Sequence, residues 1–184
     1  GSAADPWRAR ILTVADDGLG AGDPLEAEAF EDATDGFARW ISPDFARERI
    51  ALGDLPEPGQ GAAANAAIRA ALEGGAAIAL YAGHGGARAW ADELVFGVGD
   101  VGALANDASL PVYVVLNCLN AFFSAPNEDS LGEVALRAPD RGAAAFVGST
   151  TVSALAGQDA FARALGERIL RANVRSVGEA VTAA

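Results

Sequence analysis

The chain has 184 residues, 51% of them hydrophobic, and 25 acidic residues against 13 arginines give it a formal net charge of −12. This length predicts one domain with a proper core, and no apolar run approaches the roughly 20 residues of a membrane-spanning helix. The acidity argues against a nucleic-acid partner, because phosphate binding needs a basic face, and the single cysteine excludes an internal disulfide.

In chain order, the sequence predicts a strand at Arg10–Ala15, a helix at Leu25–Trp40, a strand at Arg47–Leu52, a helix at Ala62–Glu73, a strand at Ala76–Tyr81, a short hairpin within Trp90–Gly99, a helix at Asp100–Asn106, a strand at Pro111–Leu116, a helix at Asp129–Arg137, a strand at Gly142–Gly148, a helix at Gln158–Arg171 and a last helix opened by Ser176. The main strands are continuous apolar runs separated by helical segments. This pattern predicts an α/β domain with a mostly parallel sheet covered on both faces.

The start of the chain is interpreted separately from this domain. Gly1-Ser2 is typical of a cloning scar, so residues 1–9 are interpreted as a scar and leader. Residues 10–184 are interpreted as a single domain excised from a longer protein, an interpretation that the absence of methionine supports weakly. No basic-then-apolar signal segment opens the chain, so the residues alone leave the compartment undecided.

Two neighbouring strands of this predicted sheet end in chemically distinctive residues. His84 is the only histidine and follows Ala76–Tyr81 within a run of glycines, and Cys118 is the only cysteine and follows Pro111–Leu116. Ligands bind at the C-terminal ends of parallel strands, so we expect a catalytic pair that attacks through a thiolate. The bare backbone around Gly85 would let a substrate approach and would offer N–H groups to an oxyanion.

Each of these residues also has a purely structural interpretation. A free cysteine is most often a buried small hydrophobe, and a histidine among glycines can simply lie at the surface. Asp16 follows the first strand and could orient or charge His84, but Asp16-Asp17-Gly18 is equally ordinary turn chemistry. The chain lacks the phosphate-binding G-x-x-x-x-G-K-[ST] loop and the G-x-S-x-G elbow of serine hydrolases.

The runs YAGHGGARAW, LNCLNAFF and AAAFVGST resemble the gingipain family of cysteine peptidases, and the resemblance extends from Ile11 to about Ala180. It implies a three-layer α/β/α caspase-like fold and a cysteine endopeptidase with a His/Cys dyad. By this resemblance Cys118 matches the nucleophile and His84 the histidine that protonates the leaving amine. The N–H groups of Gly85 and Cys118 match the oxyanion hole, and Asp16 matches an acidic residue that assists the histidine.

The resemblance also implies where a peptide substrate binds. The expected substrate-binding residues are Ala82 and Leu116 in the pocket for the residue before the scissile bond, Ser149 and Thr150 in the segment Ser149–Ser153 that pairs with the substrate backbone, and Trp90. Gingipains cleave after Arg or Lys, which needs an acid in that pocket. The candidates for that acid are Asp23, Glu26 and Glu28.

The chain departs from the family pattern in three places. Gingipains carry a second, N-terminal α/β subdomain before this region, which is missing here. They also carry a tryptophan after GST, where this chain reads Thr151–Leu155, and the loop is shorter in this chain. The departures support an alternative function, a non-catalytic or latent caspase-fold domain that binds or regulates other proteins. A third hypothesis is a different α/β hydrolase or transferase that uses Cys118.

The expected partners are a protein or peptide substrate and other domains of the parent protein, with no nucleic acid and no membrane segment. No cofactor is expected, although the resemblance and the acidic loops keep calcium as a candidate ion. A secreted or cell-surface location follows from the resemblance alone.

Overall fold

A parallel sheet forms the centre of the protein. In the computed structural model, which describes residues 5–20, 22–56, 60–172, 174 and 176–184, five parallel strands pair in the order β2-β1-β3-β6-β7. The strands are β1 (Arg10–Ala15), β2 (Ala46–Ala51), β3 (Ile78–Ala82), β6 (Val112–Leu116) and β7 (Ala145–Gly148), and a separate antiparallel pair consists of β4 (Ala89–Trp90) and β5 (Phe96–Gly97). The predicted strands and the short hairpin are therefore confirmed.

Helices cover both faces of this sheet. They are α1 (Pro24–Ala38), α2 (Gln60–Glu73), α3 (Val98–Ala103), α4 (Leu131–Arg137), α5 (Leu155–Gly166) and α6 (Val177–Ala183), with 3-10 turns at Pro6–Ala9 and Leu52–Asp54 and a π-helical turn at Glu167–Arg171. One apolar core lies between the sheet and α2, α3, α4 and the β4–β5 hairpin, and a second lies between the sheet and α1, α5 and α6. This three-layer arrangement confirms the predicted fold class.

The three central strands β1, β3 and β6 are largely apolar because their two faces border different cores. In β1, Leu12 and Val14 face the core under α2, whereas Ile11 and Ala15 face the core under α1. A strand that is buried on both faces has no solvent side that would need polar residues.

The boundaries of the helices differ from the predicted ones where caps and tertiary contacts decide them. Asp23 caps α1 by accepting hydrogen bonds from the N–H groups of Leu25 (2.9 Å) and Glu26 (3.4 Å), as predicted. The helix predicted at Asp100–Asn106 instead occupies Val98–Ala103, because the Asp100 carboxylate accepts the N–H of Gly97 (2.8 Å) and so fixes the first turn. None of the helices in the described part of the chain has the length and apolar character needed to cross a bilayer.

Candidate active site

The register of the sheet places the ends of three strands side by side. β3 lies between β1 and β6, and its last residue, Ala82, is paired with Ala15 on one side and with Leu116 on the other. The residues that follow these ends therefore leave the sheet at one edge. His84 and Cys118 line the same pocket there, of about 150 Å³, and the other lining residues are Glu26, Phe30, Gly83, Ser153, Leu155 and Gln158.

The imidazole of His84 is held by two residues of α1. Its Nε2 lies 3.0 Å from Oε2 of Glu26, and the ring of Phe30 packs edge-on against it with the centroids 5.3 Å apart. Glu26 is in the first turn of α1 and also accepts the N–H of Leu19 (3.3 Å). Because Nε2 faces a carboxylate, the tautomer that this contact favours carries its proton on Nε2 and leaves Nδ1 as the acceptor.

Asp16 contacts the backbone of His84 and not its ring. Its Oδ2 accepts the N–H of His84 (2.8 Å) and lies 3.1 Å from the hydroxyl of Tyr81. Burial raises the pKa of Asp16 to about 6, and these hydrogen bonds partly oppose that shift. The geometry therefore assigns Asp16 to fixing the histidine loop, and assigns the contact with the imidazole to Glu26.

The glycine loop brings backbone N–H groups to this edge. The carbonyl of His84 accepts the N–H of Ala91 (3.0 Å), and the N–H of Gly86 bonds to the carbonyl of Ala89 (3.1 Å). These two bonds form a bridge around Gly85 that does not use its N–H. A Cβ at Gly85 would collide with the side-chain amide of Asn117, so glycine is needed there for the close approach of the two loops.

Cys118 lies at a sharp turn after β6. Leu119 has a positive φ of 65°, an uncommon conformation for a residue with a side chain. The turn is held by the N–H of Leu119, which bonds to the carbonyl of Thr151 (3.2 Å), and Sγ of the half-buried Cys118 lies 3.9 Å from the carbonyl of Ser153. Backbone strain of this kind is often found at functional sites.

A buried amide pair joins the histidine and cysteine loops, and the sequence analysis did not identify it. Asn120 is fully buried; its Oδ1 accepts Nδ2 of Asn117 (2.9 Å), and its Nδ2 donates to the carbonyl of Gly86. The first N–H groups of α4 add to this connection, with Leu131 donating to Ala87 (2.7 Å) and Gly132 to Asn120 (2.9 Å). The only signal in the sequence is the pattern Asn-Cys-Leu-Asn around Cys118.

The residues expected to bind substrate differ in how far they are exposed to solvent. Ala82 is fully buried and Leu116 is 4% exposed, and both pack in the core under α1. Ser149 is half-buried and Thr150 is exposed, beside the cysteine loop. Ala82 and Trp90 correct the expectation, because both are 0% exposed. Trp90 also stacks on Tyr81 with centroids 4.5 Å apart, so neither side chain has surface that a substrate could contact.

None of the three candidate pocket acids is free in the pocket of His84 and Cys118: one contacts His84, and the other two do not line the pocket. Glu26 is bound to His84, and Asp23 caps α1. Glu28 is exposed, and neither it nor Asp23 lines the pocket that contains His84 and Cys118.

Among the described residues, one group of carboxylates is close enough together to be compared with a metal site. Oxygens of Asp16, Asp17 and Glu93 lie within 4.8 Å of one another. Asp16 already accepts N–H groups of Asp17 (2.9 Å) and His84 (2.8 Å), and Oδ2 of Asp17 accepts Nε2 of Gln60 (2.7 Å). Oδ1 of Asp17 is buried without a hydrogen-bond partner among the described residues. Calcium takes roughly six to eight oxygens, and three of the oxygens of this group already accept hydrogen bonds, so the three carboxylates offer too few free oxygens for that ion.

Comparisons with known proteins bear on the fold and the family of the chain. No curated protein matches the chain. A structure of the complex of the Porphyromonas gingivalis RgpB pro- and mature domains has a TM-score of 0.69 at 21% identity, and the match covers 91% of this chain and 38% of that one. A crystal structure of the Arg-specific cysteine proteinase gingipain R (RgpB) has a TM-score of 0.66 at 18% identity, covering 98% and 46% of the two chains.

A third structure, described only as a protease, has a TM-score of 0.60 at 18% identity. The match covers 86% of this chain and 32% of that one. The chain thus spans less than half of the length of these solved chains, with which it shares the caspase-like fold. The model of peptidase family C25 matches residues 2–184. The chain therefore belongs to peptidase family C25, the gingipain family of cysteine peptidases, as its sequence predicts.

Proposed function

We propose that this chain is the catalytic subdomain of a cysteine endopeptidase that works through a His84/Cys118 dyad. The observation that carries the proposal is the convergence of the only histidine and the only cysteine on one pocket at the carboxyl edge of the sheet. A buried structural cysteine would not need a strained turn, or an imidazole oriented by a carboxylate beside it.

The proposed reaction proceeds through an acyl-enzyme. The thiol of Cys118 gives its proton to His84, and the thiolate sulfur bonds to the scissile carbonyl carbon. The N–H groups of Gly85 and Cys118 hold the oxyanion of the tetrahedral intermediate. The C–N bond then breaks as His84 gives the proton to the leaving amine, and water hydrolyses the thioester to release the acid and restore the thiol.

Glu26 is the positioning residue of this mechanism. Its contact with Nε2, at 3.0 Å, leaves Nδ1 of His84 to receive and return the proton. A carboxylate beside the imidazole also stabilises the imidazolium that exists between the two proton transfers. Asp16 acts one step further away, through the backbone of His84.

The substrate is proposed to bind as an extended strand beside the segment Ser149–Ser153. One side of this segment already pairs with the cysteine loop, since Ala121 donates to the carbonyl of Ser149 (3.0 Å) and Leu119 to that of Thr151 (3.2 Å). Thr150 is exposed between these two residues. A peptide bound here would carry its scissile bond past Cys118.

The test is covalent labelling of Cys118 by a panel of peptidyl acyloxymethyl ketones that differ in the residue before the warhead. We expect the chain to be labelled with a clear preference for some peptides, His84→Ala to label much more slowly, and Cys118→Ala not at all. Iodoacetamide measures in parallel whether the thiol is accessible. Alkylation by iodoacetamide without labelling by any peptide would contradict the proposal and favour the non-catalytic alternative.

A further inference from the structure

A second and larger pocket adjoins the pocket of the dyad. It has a volume of about 420 Å³ and lies between the carboxyl ends of β6 and β7 and the helices α5 and α6. Ser153 and Gln158 line both pockets, so they form the wall between them. Asn117 lines the larger pocket and its neighbour Cys118 the smaller one, which places the nucleophile at the boundary between the two.

The larger pocket is apolar. Its hydrophobic lining includes Leu116, Val147, Ala154, Phe161 and Val181. Among the residues that the structure describes, no charged side chain lines it, and the candidate acids Asp23, Glu26 and Glu28 lie outside it.

The polar groups of the wall bond to one another. Oγ of Ser153 donates to the carbonyl of Asn117 (3.0 Å), and Nε2 of Gln158 donates to Oγ of Ser153. A guanidinium or ammonium group placed in this pocket would lose its hydration without meeting a carboxylate, which is costly. A hydrocarbon side chain would gain by leaving water.

We infer that this peptidase prefers substrates with a large apolar residue, such as leucine or phenylalanine, before the scissile bond, and that this side chain binds in the apolar pocket beyond Ser153. The inference rests on the proposed function, because it assigns the substrate class of the same site. The competing outcome is a preference for Arg or Lys, which would require the basic side chain to reach Glu26 in the smaller pocket.

Gly157 offers a way to fill the pocket without disturbing the fold. It lies in the first turn of α5 and lines the pocket, and a Cβ built there meets no atom within 4 Å. Gly157→Trp should therefore occupy the pocket. Ala160→Trp is the matched control, because Ala160 is exposed on the same helix and lines neither pocket.

The experiment compares labelling rates of the whole chain with acyloxymethyl ketones that carry Leu, Phe, Gly, Arg or Lys before the warhead. We expect the Leu and Phe probes to react at least about 10-fold faster than the Arg and Lys probes. Gly157→Trp should slow the Leu and Phe probes about 10-fold or more beyond any change in the rate of the Gly probe, and iodoacetamide reports whether the thiol is still accessible. Ala160→Trp should change none of these rates.

Each contrary result separates the inference from the proposed function. Fastest labelling by Arg or Lys, or equal labelling of the chain and Gly157→Trp by the Leu probe, would overturn the apolar preference and keep the peptidase. Reaction with iodoacetamide alone would overturn the peptidase, and the inference with it.

Discussion

The contact between His84 and Glu26 joins residues that are far apart in the sequence. Sequence reasoning selected His84 and Cys118 as candidates, because unique reactive residues directly after two strands are visible in the sequence, and the structure brings them to one pocket. It assigned the acid beside the histidine to Asp16 by resemblance, whereas the carboxylate at Nε2 is that of Glu26. Which acid reaches the ring depends on how α1 crosses the sheet edge, and tertiary packing decides that.

Glu26 can be tested by removing its charge alone. Glu26→Gln keeps the size of the side chain but weakens its support of the imidazolium, so we expect peptide hydrolysis to slow about 100-fold. Alkylation of Cys118 by iodoacetamide should show that the thiol is still present. Glu28→Gln, on an exposed residue of the same helix, serves as the control, and an equal loss of activity in both variants would contradict the role of Glu26.

Because the pKa of Asp16 is raised, we expect the stability of the fold to depend on pH. Its pKa is raised from 3.8 to about 6 by burial, so its protonated form stabilises the fold fully below pH 4, and this contribution is lost as the pH rises through about 6. Relative to Asp16→Asn, the free energy of unfolding of the chain should fall by about 2 kcal/mol between pH 4 and pH 7. Urea unfolding of both proteins across this range measures the difference, and parallel curves would show that the pKa of Asp16 is ordinary.

At the scale of elements, α4 and Asn120 connect the loop of His84 to the loop of Cys118. The start of α4 is set by a capping box in which Ser130 accepts the N–H of Glu133 (3.4 Å) and Glu133 accepts the N–H of Ser130 (2.9 Å). The sequence predicted α4 as a helix, but its role in joining the loops could not be read from periodicity. That role depends on the N–H groups of the first turn, whose partners lie far away in the chain.

Asn120→Ala should separate positioning from stability. Removing the amide leaves buried groups of Asn117 and Gly86 without their partner, and a small displacement of the loops can cost about 100-fold in rate. Asn65→Ala is a matched control, because Asn65 donates to the carbonyl of Val95 and to Asp100 on another part of the fold. We expect both variants to lower stability in urea and only Asn120→Ala to lower the rate of peptide labelling. Equal rates in the two variants would contradict a positioning role.

At the scale of the whole molecule, the topology could be predicted and the pockets could not. Continuous apolar strands separated by helices allow few arrangements other than a covered parallel sheet. The volume and polarity of a pocket depend on how α5 and α6 pack beside the strand ends, which local pattern does not encode. Trp90 illustrates this limit, because a tryptophan near a catalytic loop could lie at the surface or in the core.

Some of the acidic residues form ion pairs with arginines at the surface. Two arginines of the edge strand β2 pair with acids of α1, Arg47 with Asp35 and Arg49 with Glu31. Arg10 of β1 pairs with Glu48 of β2. Exposed pairs of this kind are worth little individually. Each pair sums to zero, so the net charge of −12 is the excess of acidic residues over arginines, and a net charge does not by itself indicate an ion site.

We therefore propose that the fold and the reaction do not depend on calcium. If calcium bound the folded chain, a free-ion concentration of about 100 times the Kd would add about 2.7 kcal/mol to the free energy of unfolding and raise Tm by several degrees. Thermal unfolding and peptide hydrolysis should be the same in EDTA and in millimolar calcium. A fall in Tm in EDTA that calcium reverses would show that an ion binds, and substitution of Asp17 would test whether the carboxylates near Asp16 hold it.

Cys118 is the only sulfur-bearing residue of the chain, since the sequence has one cysteine and no methionine. A sulfenic acid formed on it by peroxide has no second thiol in the chain with which to form a protective disulfide. Brief oxidation should therefore be reversed by an added thiol, while longer exposure should carry the sulfur to sulfinic acid, which thiols do not reduce. Recovery of activity with dithiothreitol after increasing times in peroxide would measure this, and the half-buried position of the sulfur sets how fast it proceeds.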